Sequence, residues 1–179
     1  MTYYTLMDSP LDSLLLLSDG DALTGLYMAL HKHGPDVRPE WRRDDELLLF
    51  EEAVEQLRAY FAGKLQVFDL PLRASGTPFQ QTVWEALRGI PYSETISYGE
   101  LAKRIGSPGS SRPVGLANGR NPISIVVPCH RVIGASGKLT GYGGGVERKA
   151  ALLDFEREVV LFGASGRWTG TLPVPVHRP

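Results

Sequence analysis

The residues best equipped for chemistry lie in one run, Asn121-Pro122-Ile123-Ser124-Ile125-Val126-Val127-Pro128-Cys129-His130-Arg131-Val132. Cys129 is the only cysteine of the chain. A solitary cysteine is most often a small, inert, buried hydrophobe. Here the β-branched stretch 123–127 predicts a buried strand that Pro128 ends. The thiol follows at once, beside a histidine and an arginine, the neighbours that most favour a thiolate. Cys129 therefore reads as a nucleophile. One cysteine supplies neither an internal disulfide nor a thiolate-rich zinc site, so no metal is expected.

Two further stretches carry chemistry. Gly141-Tyr142-Gly143-Gly144-Gly145 lets backbone approach a ligand closely and leaves amide N–H groups free. It lacks the strand-loop-Lys-Ser/Thr pattern of a P-loop, which excludes that reading. Upstream, Lys103, Arg104, Arg112 and Arg120 fall on or beside two short predicted helices joined by Ser107-Pro108-Gly109-Ser110. Helix, glycine-containing turn, helix is the spacing of a helix-turn-helix.

The elements that position these groups follow from pattern. Residues 2–7, 14–17 and 22–28 read as strands, with Ser18-Asp19-Gly20-Asp21 as a turn, and 31–43 as a polar loop. Leu47, Phe50, Val54, Leu57 and Phe61 recur at helical spacing, Gly63 stops that helix, and 65–70 predicts one more strand. This is an α+β unit with no chemistry of its own, a scaffold or brace. Arg73-Ala74-Ser75-Gly76 is the predicted boundary. Beyond it Thr77-Pro78-Phe79-Gln80 opens a helix with an N-cap, a first-turn proline and a capping box, and Phe79, Val83, Trp84 and Leu87 form its stripe. Ser97 with Glu100 starts a second helix by the same device, and a third spans 111–118. A last helix covers 146–156, and a mobile tail is expected after it. The domains expected are 1–73, 77–160 and a tail from 161 to 179.

Composition sets outer limits. At 179 residues, 42% hydrophobic and 22% charged, the chain is an ordinary globular protein. Its first basic residue is Lys32, and Asp8, Asp12, Asp19 and Asp21 interrupt any apolar leader, so a cytoplasmic protein without a membrane partner is expected. The net charge of −1 hides an asymmetry. Residues 1–76 carry 7 Lys/Arg against 13 Asp/Glu, whereas 77–149 carry 9 against 4. Either the middle of the chain meets an anion, or the charges are a solvated scatter.

Together these residues resemble a known family. Pro128-Cys129-His130-Arg131-Val132 after Asn121-Pro122 is similar to the active-site signature of the O6-alkylguanine-DNA alkyltransferases, in their stand-alone bacterial Ogt type. Gly76-Thr77-Pro78-Phe79-Gln80, Val83-Trp84, Ile96-Ser97-Tyr98, Arg112 with Val114-Gly115, and Thr140-Gly141-Tyr142-Gly143-Gly144-Gly145 fall in family order and spacing. The resemblance is good from about 76 to 156 and looser before that. It implies an α+β fold: a small RNase H-like α/β domain with antiparallel strands, then a mainly helical domain carrying the helix-turn-helix.

The implied activity is irreversible transfer of an alkyl group from O6-alkylguanine, and O4-alkylthymine, in double-stranded DNA to Cys129, one event per molecule and with no cofactor. By the resemblance His130 takes the thiol proton through a water, Glu156 orients the histidine, and Asn121 bridges segments of the site. Tyr98 helps rotate the nucleotide and donates to guanine N3. Backbone at Cys129 and Val132 reads the exocyclic amine, the Gly143 amide donates to O6, and Tyr142 lines the alkyl pocket. The flipped base requires something to fill its place, and Arg112 maps onto the family's finger arginine, a planar cation able to stack. Ser111, Val114, Gly115, Ala117, Asn118, Arg120 and Arg131 complete the expected DNA-binding set. The expected state is a monomer, acting singly or cooperatively along DNA.

Three departures from the family pattern are visible. Pro113 stands where alanine is usual, so the third helix should begin near Arg112. Leu11-Asp12-Ser13 replaces a glycine-containing turn, and the cysteines that bind zinc in some relatives are missing. The alternatives are a non-catalytic lesion binder on the same fold, which would lack the cysteine, and a cysteine hydrolase, which would take its histidine from a distant position.

Overall fold

The computed structural model describes residues 1–29 and 31–165. The expected tail falls largely outside these residues. Strand β1 (Tyr3–Ser9) alternates as a half-buried strand should, with Thr5 and Met7 inward and Leu6 and Asp8 outward. It pairs antiparallel with β2 (Asp12–Ser18), which pairs antiparallel with β3 (Leu23–Met28). The turn between β1 and β2 holds Asp12 at φ 70°, where glycine would sit without strain. Ser9 compensates: its hydroxyl donates to the Asp12 carbonyl at 2.6 Å and accepts from the Leu11 amide at 3.0 Å.

Residues 31–43 are not wholly loop, because β4 (Arg42–Arg43) adds parallel to β1 and completes the order β3-β2-β1-β4. The strand expected over 65–70 does not form. Its backbone is bound instead by the Gln56 amide, which donates to the Asp69 carbonyl at 2.8 Å and accepts from the Asp69 N–H at 2.9 Å. The free edge of β3 is taken by other segments. Leu23 bonds to Pro71 and Arg73, while Leu26 donates to the Pro122 carbonyl at 2.8 Å and accepts from the Ser124 amide at 3.0 Å. The sheet edge thus grips the segment that leads to Cys129, and helix α1 (Leu48–Phe61) packs Phe50, Leu57 and Tyr60 into the core.

Helix α2 (Pro78–Arg88) starts with the full capping box expected from Thr77 and Gln80. A short strand β5 (Ile96–Ser97) leads into α3 (Tyr98–Arg104), where Ser97 caps the Glu100 amide at 3.1 Å. The Glu100 carboxylate turns to Arg104 at 3.7 Å, so the box closes on one side only. The tight turn after α3 delivers α4 (Ser111–Gly119), as the helix-turn-helix spacing predicts. Strand β6 (Val132–Ile133) pairs parallel with β5 and fixes the exit of the cysteine segment. Helix α5 (Val146–Phe162) runs beyond the expected stop at 156. Val159 is buried while Val160 and Leu161 are exposed, and this mixture masks the helical period.

One cluster of buried side chains joins both halves, from Leu14, Leu26 and Tyr60 to Ile123, Val132 and Phe155. Trp84 is part of it, and its indole N–H donates to the Ala117 carbonyl at 2.9 Å, which sets α4 against α2. Trp84→Phe keeps most of the packing and removes the indole donor, leaving the Ala117 carbonyl only its bond from the Arg120 amide at 3.1 Å. We expect a loss of about 0.5–1.5 kcal/mol in denaturant unfolding; an unchanged midpoint would contradict this anchoring role.

Candidate active site

The stretch 123–127 is buried as expected, yet it is a compact turn rather than a strand. The Val127 amide reaches back to the Ile123 carbonyl at 3.0 Å, and the Val126 amide to Ser124 at 2.8 Å. Ile125 is forced to φ 70°, a conformation that costs a β-branched residue on the order of 1–3 kcal/mol. Asn121 is what holds the turn. Its Oδ1 accepts from the Ile123 amide at 3.0 Å, and its Nδ2 faces the Val127 carbonyl at 2.8 Å and Cys129 Sγ at 3.1 Å. A side-chain amide can satisfy a coiled backbone in this way where a straight strand would need a ladder partner.

Cys129, His130 and Arg131 form a single 3-10 turn. Directly after the thiol, His130 Nε2 lies 2.8 Å from Glu156 Oε1 on α5, both side chains fully buried. Burial holds the imidazole below its ordinary pKa against the pull of Glu156, so it is neutral at neutral pH. The carboxylate takes the Nε2 proton as its hydrogen-bond donor, which leaves Nδ1 with its lone pair. That atom is buried and has no protein partner among the described residues. The ring is thereby prepared to accept a proton.

Glu156 itself receives five hydrogen bonds: from His130, from two guanidinium nitrogens of Arg131 (3.0 and 2.8 Å), from the Tyr60 hydroxyl (2.8 Å) and from the Ser93 amide (2.9 Å). Burial alone would raise its pKa, but His130 and Arg131 outweigh that and hold the carboxyl well below the usual range. Arg131 must therefore be withdrawn from the DNA-facing set. Its guanidinium is buried, bound to Glu156 and to the Ile90 carbonyl at 2.8 Å.

The thiol environment also differs from the expectation drawn from its sequence neighbours. Both are turned toward Glu156. Burial pushes the Cys129 thiol up, and the opposing influences are the Asn121 amide and the ammonium of Lys149. Lys149 is buried on α5, and its Nζ donates to the carbonyls of Val132 and Thr140 and toward the Tyr98 hydroxyl at 3.4 Å. Burial lowers its pKa to about 8. Nothing in the linear sequence marks it, since a lysine on a polar helix turn ordinarily points to water.

Tyr98, at the start of α3, donates to the Thr140 carbonyl at 2.8 Å, and its ring packs beside Gly115. Tyr142 is buried, and Gly143 follows it in the glycine loop. A Cβ at Gly143 would collide with the His31 ring, and the Gly143 carbonyl accepts from the Lys32 amide at 2.8 Å. His31 in turn lies 3.4 Å from Ser124 Oγ. The N-terminal unit therefore touches the site through Tyr60, His31 and Lys32, and is more than a brace. A cavity of about 560 Å³ opens here, between α4 (Gly115, Leu116, Gly119), Arg120 and the loop at Tyr142 and Gly143.

Helix α4 divides into two faces. Ser111, Arg112, Pro113 and Leu116 are exposed, as is Arg120 at its end, while Val114, Ala117 and Asn118 are buried. These last three are corrected from DNA contacts to packing residues. Asn118 Nδ2 donates to the Cys129 carbonyl at 3.2 Å and so ties the helix to the cysteine turn. Leu116 is 67% exposed in spite of its apolar side chain. Among the described residues no group of three or more His, Cys, Asp or Glu could hold a metal ion, and no helix is long and apolar enough to cross a membrane.

Known proteins match the chain over most of its length. Residues 2–74 match the model for the 6-O-methylguanine DNA methyltransferase ribonuclease-like domain, and 78–158 that for its DNA-binding domain. A methylated-DNA--protein-cysteine methyltransferase of Mycobacterium tuberculosis is 57% identical over 157 residues, covering 88% of this chain and 93% of its own. A Methanosarcina acetivorans protein of the same name is 51% identical over 154 residues, covering 86% and 97%. The crystal structure of Mycobacterium tuberculosis OGT in complex with DNA superposes with a TM-score of 0.81 at 56% identity, covering 87% of this chain and 92% of that one.

The Glu156 network makes a pH prediction. A carboxyl held below its ordinary value of 4.5 contributes full stability above that pH and loses it progressively as the pH falls below. Glu156→Gln leaves the Arg131 charge buried without its partner. Urea unfolding at pH 7 should register a loss of about 3–5 kcal/mol, and the variant's stability should fall less steeply than the wild type's below pH 4.5. An equal acid slope in both proteins would assign the effect to other carboxylates.

Proposed function

The chain belongs to the 6-O-methylguanine DNA methyltransferase family, a DNA-repair alkyltransferase that binds DNA, and from that premise we propose that Cys129 is its acceptor, reacting once with O6-alkylguanine. O4-alkylthymine is a second substrate on the same reading. The observation that carries the assignment is one 3-10 turn that sets Sγ against Asn121 and, one residue later, His130 against Glu156.

The chemistry follows from that turn. His130 Nδ1, left without a proton because the ring N–H is on Nε2 facing Glu156, takes the thiol proton through a water. The Cys129 thiolate attacks the alkyl carbon, the S–C bond forms as the C–O6 bond breaks, and the electron pair leaves on guanine O6. Lys149 and the Asn121 amide support the sulfur charge while it lasts. The Gly143 amide donates to O6, the backbone of Cys129 and Val132 reads the exocyclic amine, and Tyr142 walls the alkyl group.

Tyr98 has one hydroxyl proton, committed at rest to Thr140. To donate to guanine N3 it must let go, and Lys149, already bonded to the same carbonyl at 2.8 Å, keeps that acceptor satisfied. A thioether is stable, so no step restores the thiol. The base reaches Cys129 by flipping out of the duplex, at a cost of roughly a few kcal/mol. The exposed Arg112 at the start of α4 takes the vacated place, with Ser111, Gly115 and Arg120 along the same groove.

Incubation with an oligonucleotide containing O6-methylguanine should add one methyl group to the peptide bearing Cys129, with one equivalent transferred per protein and none in Cys129→Ser. Sustained turnover, or tight binding without transfer, would sink the proposal and favour the hydrolase or the lesion binder. Arg112→Ala should slow transfer from duplex DNA far more than from a free alkylguanine base; equal losses on the two substrates would remove the finger role.

A further inference from the structure

Lys32, on the N-terminal unit, lies where the C-terminal helix-turn-helix would be expected to act alone. It lines the 560 Å³ cavity together with His33, facing Leu116, Gly119 and Arg120 across the glycine loop. Its backbone is fixed, because the Lys32 amide donates to the Gly143 carbonyl and the His33 amide reaches His31 Nδ1 at 3.3 Å. With Nδ1 an acceptor, neutral His31 carries its proton on Nε2 and offers it to Ser124 Oγ at 3.4 Å, locking the loop to the cysteine turn. The side chain of Lys32 is exposed and makes no ion pair among the described residues. Glu40 faces Arg38 at 4.0 Å and Asp36 lines a separate recess with Leu15 and Tyr27, while Glu147, whose carboxylate stands beside Gly145 at the cavity, makes no ion pair with Lys32. Arg120, opposite, is likewise exposed and outside every ion pair among the described residues.

Two cations that line one cleft, one from each half of the chain, suit a polyanionic strand. An ammonium on a flexible stem binds phosphate as a point charge and reads no base. We infer that Lys32 is a second DNA contact, taking a backbone phosphate of the strand that enters the cavity beside Gly143. The inference rests on the DNA-alkyltransferase reading and extends it by making the N-terminal unit part of the nucleic-acid surface. Because the Lys32 amide and Gly143 share a hydrogen bond, the phosphate contact would sit one residue from the loop that holds the base.

Counterion release provides the test. Each phosphate neutralised contributes about 0.9 to the slope of log K against log salt. Full-length protein carrying Cys129→Ser, so that binding is read without transfer, is titrated with a duplex containing O6-methylguanine over a range of salt. Adding Lys32→Ala should reduce the slope by about one and weaken binding at low salt, Lys32→Arg should restore it, and Lys64→Ala, an exposed lysine outside the cavity, should leave it intact. An unchanged slope for Lys32→Ala, or an equal drop for Lys64→Ala, overturns the inference. Methyl transfer by the wild-type protein, measured in parallel, tests the underlying reading separately: transfer with an unchanged Lys32→Ala slope rejects the phosphate contact alone, and no transfer rejects both.

Discussion

The buried carboxylate of Glu156 is the interaction on which the rest of the site depends. A charge taken so far out of water is tolerable only when every lone pair is used, and here five hydrogen bonds converge on two oxygens. Their origins explain the architecture. Tyr60 comes from α1, Ser93 from the loop after α2, His130 and Arg131 from the cysteine turn, and Glu156 from α5. Remove the carboxylate and four separate segments lose their common point. The same constraint selects the histidine tautomer, so a structural demand and a chemical one are met by one group.

Asn121 has the same double character on a smaller scale. It stabilises a turn whose Ile125 sits in a strained conformation, and it spends its remaining donor on the sulfur. The strain is sustained because β3 clamps the segment from outside, through Leu26, while Asn118 ties the Cys129 carbonyl to α4. The thiol is thus placed by sheet, turn and α4 together. Holding a reacting group in place can contribute roughly 7–11 kcal/mol to lowering a barrier.

The division between the two halves is correspondingly less complete in space than in sequence. The N-terminal unit carries an acidic balance and no motif, yet it places Tyr60 on Glu156, Asp12 against Arg148 at 2.6 Å, and His31 on the glycine loop. These contacts bridge separations in sequence that no local pattern encodes. A polar residue that ends up buried at an inter-element contact looks, in the linear chain, like any surface residue.

Much was legible in the residues alone. Capping residues placed the starts of α2 and α3 closely, since helix starts are decided by a few neighbouring side chains, and the glycine-containing turn placed α4. The lone cysteine in its motif, with Asn121, Tyr98 and the glycine loop, located the candidate site. What failed were readings that equate neighbours in sequence with neighbours in space. Val114, Ala117, Asn118 and Arg131 were assigned to DNA and are packed inside, and 123–127, β-branched throughout apart from Ser124, coils instead of extending. The sequence by itself determined where the helices start and which motif residues group together, because both depend on short-range chemistry. Only the tertiary structure decided which charges face the thiol, which face the carboxylate and which face solvent, because burial and long-range contact set those, and α5 brings Lys149 and Glu156 to a cysteine that neither adjoins in the chain.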